Sequence, residues 1–171
     1  MLAKISFKIM LYLFSIFLGF SILLYGCNLL DPEGDEDSAD DLYVQFNNSA
    51  ASSYTITCIE LLAIGRADET PSPSGEWTSN KLEGIGEIAP GGQQYFHAKI
   101  PRQHRCYYRL GIKNGDGSTL MLTEQTHYVS DVYPTLTHWG SDDRTVTVTI
   151  VDDSYSDLIY INGWSEWAGI E

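Results

Sequence analysis

Basic residues are scarce in this 171-residue chain: ten lysines and arginines stand against 23 aspartates and glutamates, and the formal net charge is −13. Nucleic-acid binding needs a basic face that neutralises phosphates, so we expect no nucleic-acid partner. After Asp41 the chain also lacks any long stretch with the apolar spacing of an amphipathic helix. A helical fold is therefore not expected.

Motifs for catalysis are missing as well. The histidines form no His-Glu-x-x-His pair, and no serine lies in a Gly-x-Ser-x-Gly elbow. The four histidines are His97, His104, His127 and His138. We predict that the protein is not an enzyme and needs no cofactor, and we keep a hydrolase as the weakest alternative.

Metal-binding patterns are absent too. The turn Asn114-Gly115-Asp116-Gly117 is followed by Thr119 where an EF-hand loop needs glycine, so it is interpreted as a hairpin turn. The acidic run 152–157, with Asp142 and Asp143, offers oxygen ligands for calcium, but solvated charge is the preferred interpretation. We predict no metal site.

The N-terminus has the three parts of an export signal. Lys4 and Lys8 supply positive charge, residues 9–25 are apolar and uncharged, and the small residue Gly26 precedes Cys27. The alternative is an uncleaved helix, because the apolar run is long enough to cross a bilayer. Either interpretation exports the rest of the chain.

The residues before Cys27 also carry a resemblance. Leu24 and Gly26, three places and one place before the cysteine, resemble the lipobox of bacterial lipoproteins. The resemblance implies that residues 1–26 are a signal peptide and that the Cys27 sulfur carries lipid. It implies a membrane-anchored protein of the bacterial cell envelope, and the outer membrane is the preferred location.

Residues 27–41 are rich in acids and contain no aromatic or basic residue, so we predict a disordered tether. Residues 42–171 then form one domain. Once Cys27 is assigned to lipid, Cys58 and Cys106 remain, and both lie on the apolar parity of their predicted strands. A disulfide between them and two separately buried thiols explain the pattern equally well.

Apolar and polar residues alternate along most of this domain, as in strands with one buried face. The alternation predicts six strands at 42–47, 54–64, 94–100, 106–113, 118–123 and 144–151. Turn-forming residues separate the segments. We predict an all-β fold, a single antiparallel β-sandwich of the immunoglobulin-like or C2-like kind.

Four segments are spaced as in one family of domains. They are Phe46-Asn47-Asn48, Trp77-Thr78-Ser79-Asn80-Lys81-Leu82, Ala89-Pro90-Gly91 and Tyr108-Arg109-Leu110. From Tyr43 to Val151 the chain resembles small secreted bacterial β-sandwich domains, often lipoproteins, of uncharacterised function. The resemblance implies the sandwich and the export, and it supplies no catalytic residues.

Two groups of side chains are candidates for binding. The cations Lys99, Arg102, His104, Arg105, Arg109 and Lys113 cluster in the sequence. They form either a patch for an anionic partner or, in the preferred interpretation, ion pairs with the surplus carboxylates.

The second group is Trp139, Trp164 and Trp167, near the C-terminus. Exposed aromatic rings stack on sugars or anchor protein interfaces, whereas a C-terminal turn would fold the indoles onto the sandwich. We predict a membrane-anchored, non-enzymatic structural or interaction module whose partner is a glycan or an envelope protein. The alternative is a carbohydrate-binding module that uses these tryptophans.

Overall fold

The computed structural model of the protein describes residues 40–123, 133–155 and 158–170. The chain divides into Met1–Ser38, which lies outside the described residues, and a unit that begins at Ala39. The predicted signal peptide, the predicted lipid site Cys27 and nearly all of the predicted tether lie outside the described residues. Within the described ranges, no helix has the length and apolar character needed to cross a membrane.

The described residues form eight strands. They are β1 (Asp41–Asn48), β2 (Ile56–Arg66), β3 (Gln93–Lys99), β4 (His104–Lys113), β5 (Thr119–Met121), β6 (Thr135–Thr137), β7 (Asp143–Asp152) and β8 (Ile159–Ala168). The first sheet has the order β3-β1-β7-β8, and in the second sheet β2 and the two short strands β5 and β6 all pair with β4. The prediction of an all-β sandwich is confirmed.

One strand pair differs from the predicted antiparallel arrangement. β1 runs parallel to β7, with Phe46 opposite Val146, while the other described pairs are antiparallel. β1 and β7 are far apart in the sequence and are not joined by a hairpin. Their relative direction is therefore free of the constraint that a tight turn imposes.

Two strands, β6 and β8, were not predicted, and each has a local reason. β6 has three residues, too few to show alternation. In β8 the register shifts opposite Thr149 and Ile150, so the alternation of Ile159 and Ile161 is lost at Gly163. A β-bulge of this kind moves the following side chains to the other face.

The core consists of alternate side chains from both sheets. Leu42, Val44 and Phe46 of β1 are fully or almost fully buried. The Phe46 ring lies edge-on to Tyr108 of the second sheet, with centroids 5.5 Å apart. Each large apolar side chain buried in this way stabilises the fold by about 1.5–3 kcal/mol.

The loop between β2 and β3 covers the open edge of β2. Thr78 N donates to Leu61 O at 2.9 Å, and Asn80 Oδ1 accepts from Ile59 N at 3.0 Å. The next apolar residue, Leu82, is buried in the core. The Trp-x-x-Asn-x-Leu segment therefore satisfies backbone groups that an edge strand would otherwise expose.

The predicted inward direction of Cys58 is wrong. A bulge between Ile56 and Cys58 shifts the register, so Ile59 faces the core and Cys58 faces outward beside Glu60. Cys106 remains on the core side of β4, so the two thiols lie on opposite faces of the second sheet.

The two cysteines are free and buried, and no disulfide joins them. Cys58 pairs with Gly111, and Cys106 pairs with Ala63. At about 3.3 Å per residue, the five positions from Cys106 to Gly111 separate the cysteines by roughly 16 Å along the strands. A disulfide needs Cα atoms within about 7 Å of each other.

The outward position of Cys58 makes glycine necessary at position 111. A Cβ added to Gly111 would lie 2.6 Å from Thr119 Cγ2, 2.7 Å from Cys58 Cβ and 2.8 Å from Met121 Sδ. We expect Gly111→Ala to lower the free energy of unfolding by about 1–3 kcal/mol, because the added methyl forces its packed neighbours apart. Urea denaturation measures this loss.

The control is Gly115→Ala in the turn that follows β4, where nothing lies within 4 Å of an added Cβ. Its free energy of unfolding should change by less than about 0.5 kcal/mol. Equal losses in the two variants would contradict the close packing at Gly111.

Candidate functional site

A row of outward-facing side chains crosses all four strands of the first sheet. Tyr95 of β3 is opposite Gln45 of β1, Gln45 is opposite Thr145 of β7, and Thr145 is opposite Trp167 of β8. Directly opposite residues project from the same face of a sheet. We call Tyr95, Gln45, Thr145 and Trp167 the aromatic row. With strands about 4.8 Å apart, its two aromatic ends are roughly 14 Å apart at the backbone.

Hydrogen bonds link the aromatic row to its polar neighbours. Gln45 Nε2 donates to Gln93 Oε1 at 3.2 Å and to Asn47 Oδ1 at 3.1 Å. Gln93 Nε2 donates to the Tyr95 hydroxyl at 2.7 Å, and Asn47 Nδ2 donates to Thr147 Oγ1 at 3.3 Å. Gln45 Oε1 is buried and receives no hydrogen bond from the described residues. The centre of the face is therefore polar and holds an unused acceptor.

Other aromatic side chains extend this face beyond Tyr95. The Tyr43 ring lies 5.8 Å from the Tyr95 ring, and the two planes differ by 13°. The exposed imidazole of His97 meets Tyr43 edge-on, with centroids 4.9 Å apart. The sequence analysis did not name Tyr43, Tyr95 or Gln45 as site residues. The signal for them was that they occupy the outward-facing alternate positions of β1 and β3.

The tryptophans do not form one surface. Trp139, Trp164 and Trp167 are 48%, 52% and 61% exposed. Trp167 belongs to the outer face through Thr145, whereas Trp164 is opposite the core residue Val148 and lies on the inner side of β8. The alternative of a C-terminal turn is wrong, because Trp164 and Trp167 lie in the ten-residue strand β8. Only Trp167 joins the aromatic row.

A buried ion pair links the two sheets beside β8. Arg144 Nε lies 3.0 Å from Glu166 Oε1 and donates to Thr137 O at 2.6 Å, and Arg144 Nη2 donates to Trp139 O. Glu166 Oε1 also accepts from Thr137 N at 2.8 Å. Burial raises the pKa of Glu166, although Thr137 and Arg144 partly offset this rise. The pair joins β7 and β8 of the first sheet to β6 of the second.

His138 and Asp142 are the histidine and carboxylate that a hydrolase would require within bonding reach. His138 Nε2 lies 2.9 Å from Asp142 Oδ1, and Nδ1 lies 2.5 Å from Ile100 O. The hydrogen bond from His138 lowers the pKa of Asp142, whose carboxylate also lies 2.5 Å from Arg102 Nη2. Both ring nitrogens are engaged by protein oxygens and the ring is buried, so neither nitrogen is open to a substrate.

Neither cysteine is an active nucleophile at neutral pH. Burial and the charge of Glu60 raise the pKa of Cys58 to about 11. Burial also raises the pKa of Cys106 far above its ordinary value. Both side chains therefore stay as thiols, whereas the thiolate is the reactive form. Within the described ranges, no group of three or more His, Cys, Asp or Glu side chains is placed to hold a metal ion.

The predicted cation cluster is largely neutralised, as the preferred interpretation expected. Four of its members form ion pairs with carboxylates: Lys99 with Asp41, Arg102 with Asp142, Arg109 with Glu60 and Lys113 with Glu87. The Arg109 guanidinium also lies 4.4 Å from the centroid of the Trp77 ring. The cluster is therefore not a continuous patch for an anionic surface.

A cavity of about 430 Å³ lies between the ends of β2, β3 and β4 and the loop that covers β2. Three of its lining residues, Leu61, Ile100 and Cys106, are buried core residues. Charged and titratable residues also line it: Glu76, Lys81, Lys99, His104 and Arg105. Its size is in the range of small-molecule sites, which run from about 300 to 1,000 Å³.

The buried ion pair can be tested by removing its cation. We expect Arg144→Met to lower the free energy of unfolding by about 3–5 kcal/mol, because Glu166 would remain buried without its partner. The loss should shrink as the pH falls from the raised pKa of the buried Glu166 toward the ordinary value of about 4.3, below which the carboxyl group is protonated in both the folded and the unfolded chain. Urea denaturation at several pH values measures both effects.

The matched control is Lys113→Met, which breaks a half-exposed ion pair of 2.9 Å. It should cost no more than about 1 kcal/mol. The double variant Arg144→Met/Glu166→Met should lose at least about 1 kcal/mol less than the two single losses added together. Strict additivity would show that the two side chains are not coupled.

The domain thus presents a polar and aromatic face on its first sheet and a cavity with charged lining at one end of its second. Comparison with models of protein families gives no match for this chain, and comparison with curated proteins gives none either. The function must therefore be inferred from the domain's own residues.

Proposed function

We propose that the protein is a lipid-anchored lipoprotein of the bacterial cell envelope and that its strand domain is a non-enzymatic binding module for neutral glycans. The anchor is supported by the order of Lys4, Lys8, the apolar run and Cys27 in the sequence. Two or more acyl chains at one cysteine give a stable membrane attachment, at about 0.8 kcal/mol per buried methylene.

The aromatic row is the observation that carries glycan binding. Sugar rings have apolar faces that stack on aromatic side chains and hydroxyl groups that need hydrogen-bond partners. Tyr95 and Trp167 supply rings at the two ends of the row, and the polar but buried side chains of Gln45 and Thr145 lie between them.

The same face is less suited to a protein partner. The buried centres of protein interfaces are more apolar than the rest of the surface and are depleted in charged residues. The centre of this face consists instead of Gln45, Asn47, Thr145 and Thr147. The surplus of 23 acidic residues over ten basic ones also disfavours an acidic glycan, because like charges repel.

The tether suits a binding domain of this kind. Residues 28–38, which precede the compact unit, are acidic and self-repelling, which favours an extended chain. At about 3.3 Å per residue they would hold the domain up to roughly 36 Å from the membrane. The aromatic row could then meet glycans in the space beside the bilayer.

The anchor is tested by Cys27→Ala. The natural chain should be recovered with membranes, and its mass should lack residues 1–26 and include diacylglycerol and an acyl chain. The Ala variant should retain the signal and carry no lipid, because only the cysteine sulfur forms the thioether. An inhibitor of lipoprotein signal peptidase should reproduce the retained signal in the natural chain. A mature natural chain that still begins at Met1 would contradict the lipoprotein proposal.

Glycan binding is tested on the full chain in neutral detergent, with an array of neutral glycans followed by titration calorimetry of a bound glycan. Trp167→Ala and Tyr95→Ala should each weaken binding by about tenfold or more, because each removes one stacking ring.

Trp164→Ala and Trp139→Ala are the matched controls, since they remove equally exposed indoles that are not in the aromatic row. These variants should keep the affinity of the natural chain within about twofold. Binding that depends on Trp164 and not on Trp167, or no binding to any neutral glycan, would overturn the glycan proposal and leave the anchor intact.

A further inference from the structure

The cavity is lined by the two cations that form no ion pair in the described part of the chain. The structure describes eight lysines and arginines, and six of them form ion pairs with carboxylates. The other two, Lys81 and Arg105, have no carboxylate partner in the described part of the chain. Both line the same cavity.

This exception is unusual in so acidic a chain. With 23 aspartates and glutamates against ten lysines and arginines, carboxylates are in large excess. Glu76 lines the cavity too, yet no ion pair within the described ranges joins it to Lys81 or Arg105. Both cations are partly buried beside apolar walls, and their charge attracts a ligand that brings a negative group into the cavity.

The local contacts of the two cations leave their charged groups available. Lys81 is bonded through its backbone N to Ile59 O at 2.8 Å, which fixes its backbone and not its ammonium group. Arg105 Nη2 donates to the backbone oxygen of Glu69, an uncharged acceptor. Arg105 Nε is buried and has no acceptor among the described residues. The guanidinium therefore retains both its full charge and an unused donor.

The rest of the cavity wall is apolar. Leu61, Ile100 and Cys106 are each less than 5% exposed and belong to the hydrophobic core. The raised pKa of Cys106 keeps its thiol neutral, so it acts here as a small apolar side chain. Cations on one side and core side chains on the other are complementary to a molecule with an anionic group and an apolar body.

We propose that this cavity binds a small amphipathic organic anion. Its carboxylate or phosphate group pairs with Lys81 and Arg105, and its apolar body contacts Leu61, Ile100 and Cys106. This site is separate from the aromatic row, which lies on the outer face of the first sheet. The proposal does not depend on glycan binding by that face.

The test is titration calorimetry of the full chain in neutral detergent with butyrate, butyl phosphate, inorganic phosphate and the uncharged 1-butanol. The natural chain should bind at least one of the two amphipathic anions saturably at one site, and it should bind that anion more tightly than inorganic phosphate or 1-butanol. Comparison of butyrate with butyl phosphate identifies the preferred anionic group.

Lys81→Gln and Arg105→Gln should each weaken that binding by about tenfold or more, because each removes a charged hydrogen-bond donor. Lys113→Gln and Arg102→Gln are charge-matched controls, since each removes one cation that pairs with a carboxylate and does not line the cavity. The controls should change the affinity by less than about twofold. Lys81→Gln keeps the test valid if Arg105→Gln does not fold.

Three results would overturn the proposal. The first is that neither butyrate nor butyl phosphate binds saturably. The second is that the control variants weaken binding as much as Lys81→Gln does, because long-range charge would then explain the affinity. The third is that inorganic phosphate binds as tightly as butyl phosphate, because the apolar wall would then contribute nothing.

Discussion

In the described part of the chain, no strand belongs to both sheets. The sandwich therefore depends on the contacts that join the two sheets along their edges. On the β8 side the link is ionic: Arg144 and Glu166 bond to each other and to the backbone of Thr137. On the β2 side the link is a loop, whose backbone and Asn80 side chain occupy the edge of β2. The first link is a buried ion pair, and the cavity lies beside the loop that forms the second link.

The fold was largely predictable, because alternation along a strand reports directly on which face is buried. Five of the six predicted strands, including those at Leu42 and Arg144, lie within a few residues of strands in the structure. The short β5 falls inside the remaining one, predicted at 118–123. Two of the misses share one physical cause, because a single-residue bulge reverses parity. One turned Cys58 outward, and another hid β8 from the sequence pattern.

The aromatic row was less predictable, because it is assembled from four strands that are distant in sequence. Tyr95 and Trp167 become ends of one row only through the register of β3, β1, β7 and β8. Trp164 and Trp167, close in the sequence, were the visible signal, yet residues three apart on a strand face opposite ways. The unpaired cations were equally hidden, since Lys81 lies outside the sequence cluster and meets Arg105 only at the cavity.

The covered edge of β2 has a consequence for neighbouring molecules. Exposed strand edges invite copies of a protein to pair edge to edge. Because the amides of Ile59 and Leu61 are already bonded to Asn80 and Thr78, this side of the domain offers no template for such growth. Neighbouring copies therefore remain separate on this side, however densely they are packed.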